Sequence, residues 1–93
     1  MLFTVECIDK PSSLSLRQET RDAHLEFLET LGGALRLAGP LLNAEGDSIG
    51  SLLFIEAGSF DEVHQLVNGD PYRAVGLFER TTITQLQLER GAL

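Results

Sequence analysis

Apolar positions along the 93-residue chain recur with two different periods, and the switches between them mark the elements. In "LFTVECI" (2–8), Phe3, Val5 and Cys7 alternate with Thr4 and Glu6, the period-2 pattern of a strand with one mainly apolar face. "DKPSS" breaks the pattern, and Ser13 or Ser15 is placed to cap the helix that follows. That helix, "LRQETRDAHLEFLETL" (16–31), repeats at about 3.6 residues, and Gly32 and Gly33 end it by tolerating a left-handed conformation. "ALRLAGPLL" (34–42) and "SLLFIEA" (51–57) read as strands joined by the polar turn "NAEGDSIG". Gly39-Pro40 inside the first of them points to a bulge or an edge kink. Ser59 and Glu62 match a capping box for a second helix with Phe60, Val63 and Val67 on one side. Gly69 closes it, Asp70 caps a short further turn with Pro71 at its first position, and "LFERTTITQLQL" (77–88) is the last strand.

The predicted order is β-α-β-β-α-β, an α+β, ferredoxin-like arrangement in one domain over residues 1–93. Residues 52–55, "LLFI", are apolar on both sides of the pleat, so both faces of that strand call for burial. Two helices cover one face of a four-stranded sheet. A homodimer with stacked sheets is the economical cover for the other, and a partly open apolar sheet in a monomer is the alternative. A chain of this size buries only about 60–65% of its unfolded surface and gains from a partner subunit.

Apolar residues at 43% and charged residues at 23% are ordinary globular values and exclude a disordered chain. The formal charge of −7 argues against nucleic acid and against an acidic membrane surface. No signal peptide and no membrane span is evident, so a cytoplasmic protein is expected. The single cysteine, Cys7, has no partner for an internal disulfide and reads as a small core residue. His64 and Asp61 lie three apart on the second helix, too few ligands for a metal, and read as a solvated face.

The first helix carries a misfit. Positions 17, 21, 24, 28 and 31 fall on one stripe, and two arginines and a histidine occupy its N-terminal half where apolar residues belong. A solvated helix end beyond the sheet would account for them. An anion site accounts for them as well: the chain has only seven Lys and Arg against fourteen Asp and Glu, yet two guanidiniums and an imidazole share one short stripe. Such a cluster suits a carboxylate, phosphate or phenolate held by guanidinium forks. A histidine between arginines and a carboxylate is a candidate proton carrier.

Taken together, "DKPSSLSLRQETRDAHLEFL", "LAGPLL", "GSLLFIEA" and "DPYRAVGLFE" resemble the motifs of the YciI-like (YCII-related) family, in the same order and over nearly the whole chain. The resemblance implies a dimeric α+β barrel and an active-site cleft whose His-Asp pair carries over to His24 and Asp70. It implies that Arg17, Arg21, Ser51 and Tyr72 line that cleft. At least one similar protein is a dehydrochlorinase acting on a chlorinated hydroxyquinol, so elimination chemistry is among the expectations. Asp70 is also a sufficient helix cap in its own right, and the two roles are compatible because a carboxylate has two oxygens.

The leading expectation is a small-molecule enzyme, a lyase or isomerase needing neither metal nor organic cofactor. His24 would be its acid or base, assisted by Asp70, and Arg17 and Arg21 would bind an anionic substrate beside Ser51 and Tyr72. Two other readings stand beside it: a non-catalytic anion-binding or assembly module, and a purely structural dimer whose arginines are already paired to acidic side chains.

Overall fold

The computed structural model describes all 93 residues. Strand β1 (Leu2–Asp9) leads into helix α1 (Leu14–Thr30), and a 3₁₀ turn over Gly32–Ala34 leads to strand β2 (Leu35–Leu42). Strand β3 (Ser48–Glu56), helix α2 (Phe60–Val67), the one-turn helix α3 (Pro71–Ala74) and strand β4 (Phe78–Leu86) complete the chain. The strands pair antiparallel in the order β2-β3-β1-β4. The chain is thus the expected ferredoxin-like α+β fold, with β1 and β3 at the centre of the sheet.

Side-chain parity decides what each strand buries. Phe3, Val5 and Cys7 of β1 and Leu53 and Ile55 of β3 point to one face, where they pack with Val63 and Val67 of α2 and with Leu31. Phe3, Val5, Ile55 and Val63 are completely excluded from solvent. At about 1.5–3 kcal/mol per fully buried large aliphatic or aromatic side chain, this cluster is the main apolar contribution to stability. Leu52 and Phe54 project to the opposite face and are only half-buried, in keeping with "LLFI" having two apolar sides.

Helix α1 is built differently. Its three buried residues are Arg17, Thr20 and His24, all polar, while Leu14 and Leu25 are exposed. Thr20 satisfies its hydroxyl by donating to the Leu16 carbonyl at 2.9 Å. Arg17 and His24 of the stripe's polar half are therefore turned inward onto the sheet rather than left at a solvated helix end, while Arg21 is exposed.

Several local expectations are corrected. Ser13 occupies the cap position of α1, but its hydroxyl donates to the Pro11 carbonyl and accepts nothing from the helix. Strand β3 begins three residues earlier than expected, because Ser48 and Gly50 already pair with Leu42 and Leu41 of β2. The connecting turn is consequently short and is held by Asn43 Oδ1, which accepts from the backbone N–H groups of Glu45 and Asp47. Gly39 and Pro40 pair regularly with Leu52 and Ser51, on an edge strand where proline costs no ladder bond. The register shifts lie to either side of them, between Leu35 and Leu37 and between Leu41 and Leu42.

Candidate active site

A cleft of about 440 Å³ opens between α1 and the β2–β3 edge of the sheet. It has room for a single-ring molecule. Its charged lining is entirely cationic or imidazole: Arg17, Arg21 and His24 contribute, and no aspartate or glutamate does. Leu25 and Leu28 of α1 and Ala38 and Pro40 of β2 form apolar walls. A cationic hollow in a chain of net charge −7 is a local reversal of sign.

His24 sits in the middle of α1, inside the cleft, and Asp70 reaches it from the start of α3. Asp70 has extended backbone at the cap position, and its Oδ1 accepts the Tyr72 backbone N–H at 2.9 Å. The same oxygen lies 2.9 Å from His24 Nδ1. Both side chains are buried, at 9% and 5% exposure. A carboxylate only accepts, so Nδ1 carries the proton in this pair, and in the neutral ring Nε2 keeps its lone pair. Nε2 finds no partner within the chain and is not sealed off. Asp70 is thus helix cap and imidazole partner at once, the two compatible roles expected of it.

Tyr72 forms the adjoining wall. Its ring stacks on the imidazole with centroids 4.1 Å apart and planes at 18°, and Arg17 Cζ stands 4.6 Å from the centre of the same ring. Burial pushes the Tyr72 phenol up from its usual value, while Arg17 and Arg21 pull it back. The hydroxyl is therefore a neutral donor at physiological pH, and it has no partner within the chain.

Arg17 and Arg21 share the stripe but not the same situation. Arg17 is buried, and its Nη1 lies 3.1 Å from each oxygen of Asp9 at the end of β1. Its Nη2 donates to the Gly50 carbonyl at 2.8 Å and to Ser51 Oγ at 2.6 Å. Ser51 is accordingly occupied by the guanidinium, in a floor to which the cleft descends. Arg21, one turn further along α1, is exposed at the mouth and forms no ion pair or hydrogen bond with the rest of the chain. All six residues singled out from the sequence come together here, five lining the cleft and Asp70 directly behind His24.

Asp9 is the member that sequence reasoning missed. Burial pushes its carboxyl up from the ordinary value of 3.8, and Arg17 draws it part of the way back. The signal for it was present in the strand: Phe3, Val5, Cys7 and Asp9 share one parity, so an acid occupied a core-facing position opposite a helix bearing an inward arginine. Cys7, by contrast, is a core residue as expected, with its thiol pushed up to about 11 by burial. His64 is exposed on α2, away from the cleft.

A ferredoxin-like α+β chain with a histidine–carboxylate pair at the base of a cationic, apolar-walled cleft has the form of a small-molecule-binding protein. The model of the YCII-related domain matches residues 1–87, and the chain belongs to this family. Protein YciI of Escherichia coli is 31% identical over 91 residues, covering 89% of this chain and 93% of that protein. The derivative of benzaldehyde biosynthesis cluster protein C of Emericella nidulans is 37% identical over 83 residues, covering 80% and 85%. Among solved structures, the 5-chloro-2-hydroxyhydroquinone dehydrochlorinase of Burkholderia phenoliruptrix, in complex with 2,5-dihydroxybenzoquinone, is 39% identical with a TM-score of 0.87 over 94% of each chain.

Proposed function

We propose that this protein is a cytoplasmic, cofactor-independent lyase or isomerase acting on a small anionic ring compound, with His24 as its acid–base residue. The observation that carries the reading is the His24–Asp70 pair, which leaves Nε2 unbonded inside a cleft whose only charged walls are arginines. Asp70 holds the imidazole in one tautomer and steadies the imidazolium formed when Nε2 takes a proton. Arg21 attracts the anionic oxygen, Tyr72 donates to a second oxygen, and Arg17 and Ser51 keep the floor in place. Leu28 and Pro40 accommodate the apolar body of the ring.

The proton removed from a hydroxyl or an acidic C–H passes to Nε2. Returned to a neighbouring ring carbon, it completes an isomerisation with no net change of atoms. Where that carbon bears a leaving group, the bond pair departs with the group, a second proton is lost, and the sum is elimination of one acid molecule. General acid–base assistance of this kind contributes about 10²–10⁴-fold. The dehydrochlorinase among the similar structures supports the elimination branch.

The test is chloride release from 5-chloro-2-hydroxyhydroquinone, with deuterium uptake from D₂O into the ring as a second readout. The wild type is expected to release chloride, and His24→Ala to be slower by about 10²-fold or more while remaining folded. A wild type that neither releases chloride nor exchanges ring protons contradicts the reaction class. A His24→Ala variant as active as the wild type removes the histidine from the chemistry.

The same proposal covers the open face of the sheet with a second copy. Leu37, Leu52 and Phe54 share that face, and Leu37 is 44% exposed in the single chain. Sedimentation of the wild type as a dimer, and of Phe54→Glu as a monomer, is the expected result; a monomeric wild type contradicts it.

A further inference from the structure

The two arginines of the cleft are chemically unequal, and this inequality has a consequence for the ligand. Arg17 faces the cleft from its floor, but both oxygens of Asp9 stand behind it at 3.1 Å, and its second nitrogen is taken by Gly50 and Ser51. Asp9 itself does not line the cleft. Arg21 has no acidic partner in the chain. His24, with a neutral ring, adds no cation, and the Asp70 carboxylate stands behind it. The one unpaired cation presented to a ligand is therefore the Arg21 guanidinium, set in a chain whose net charge of −7 repels anions at longer range.

We propose that Asp9 is a specificity-determining residue: by cancelling Arg17 from behind, it restricts the cleft to monoanions and excludes dianions of the same shape. This rests on the reading of the cleft as an anion site and adds the charge class of its ligand. Carboxylates, enolates, phenolates and sulfate esters qualify. Phosphate monoesters, which carry close to two charges above about pH 6, do not. A dianion entering the cleft meets one free cation and leaves its second charge desolvated among Leu25, Leu28 and Pro40, where an unpaired charge is costly. Removing the Asp9 charge would release Arg17 as the missing second cation, and a charge-assisted bond gained there is worth about tenfold in affinity or more.

Phenyl sulfate and phenyl phosphate have nearly the same shape and differ in charge at pH 7.5, so calorimetric titration of the folded protein with each at low salt reads the effect directly. The wild type is expected to bind phenyl sulfate at least about fivefold tighter than phenyl phosphate, and Arg21→Gln to weaken both. Asp9→Asn is expected to move the ratio toward phenyl phosphate by about tenfold. Arg17→Gln, which leaves Asp9 uncompensated behind the floor, is expected to move it the other way. The double variant Asp9→Asn/Arg17→Gln removes a neutral pair and is expected to keep the sulfate preference, so the proposal stays testable if Asp9→Asn alone does not fold. Tighter binding of phenyl phosphate by the wild type overturns the proposal. A ratio unmoved in the folded variants, with both probes still dependent on Arg21, overturns it too and leaves the anion site standing. Binding of neither probe, or binding indifferent to Arg21→Gln, overturns the anion site itself and the proposal with it.

Discussion

Truncating Arg17 to alanine tests whether the inner arginine is a structural member or a free cation. The side chain is 7% exposed and its partner Asp9 is 6% exposed, so the pair is buried. Arg17→Ala leaves the Asp9 carboxylate, the Gly50 carbonyl and Ser51 Oγ without their donor, and removes the cation over the Tyr72 ring. Breaking a buried ion pair by removing one partner costs about 3–5 kcal/mol. The cleft lets water into the vacated floor, which places the expected loss toward the lower end of that range. Even about 3 kcal/mol is a large share of the roughly 5–15 kcal/mol by which a domain is stable. Urea unfolding at unchanged m-value measures it, and a cycle with Asp9→Ala is expected to show about 1–3 kcal/mol of coupling. A loss below about 1 kcal/mol, as for an exposed surface arginine, or strict additivity in the cycle, would refute the reasoning.

Three further outcomes follow from the same contacts. Burial raises the Asp9 carboxyl in the folded state, so the stability tied to its protonation is fully present below 3.8 and is lost as pH rises through the folded value; Asp9→Asn should lack this pH dependence, and a variant with the wild-type slope contradicts the assignment. The Cys7 thiol, buried and raised to about 11, should resist a thiol reagent at pH 8 in the native protein and react at the rate of unfolding; rapid native-state labelling would show it to be accessible. Gly50→Ala should destabilise by more than about 2 kcal/mol in thermal unfolding, because a Cβ there runs into the Cys7 carbonyl of the neighbouring strand; a neutral variant would mean that the two strands separate readily.

The elements were legible because each rests on local chemistry. Period-2 alternation marks β1, the Ser59–Glu62 box opens α2, with Glu62 N–H bonded to Ser59 Oγ, and Asp70-Pro71 starts α3. Gly32, at φ +55°, ends α1 in the expected way. The misplaced charges on α1 pointed to the cleft, since an arginine and a histidine on the inward stripe need buried partners. What those partners are was less legible. Ending β1 at Ile8 dropped Asp9, the next core-facing position after Cys7.

The β2 wall of the cleft was hidden for a different reason. Leu35 pairs with Ile55 on the helix side of the sheet, but Leu37 pairs with Phe54 on the other side. The shift between them reverses parity, and no regular alternation would have turned Ala38 and Pro40 toward His24. Which arginine is free also depends on a contact between residues eight apart, joining a strand end to a helix, that periodicity does not encode.

The acid–base chemistry proposed for the cleft depends on an imidazole whose second nitrogen is bare and within a ligand's reach. A long-range ¹H–¹⁵N correlation spectrum of histidine-labelled protein, recorded where the ring is neutral and again with phenyl sulfate, observes that nitrogen itself. The expected spectrum shows a protonated Nδ1 and an unprotonated Nε2 for His24, with the Nε2 resonance displaced when the anion binds. A proton found on Nε2, or a resonance that stays in place while the anion occupies the cleft, would contradict the account.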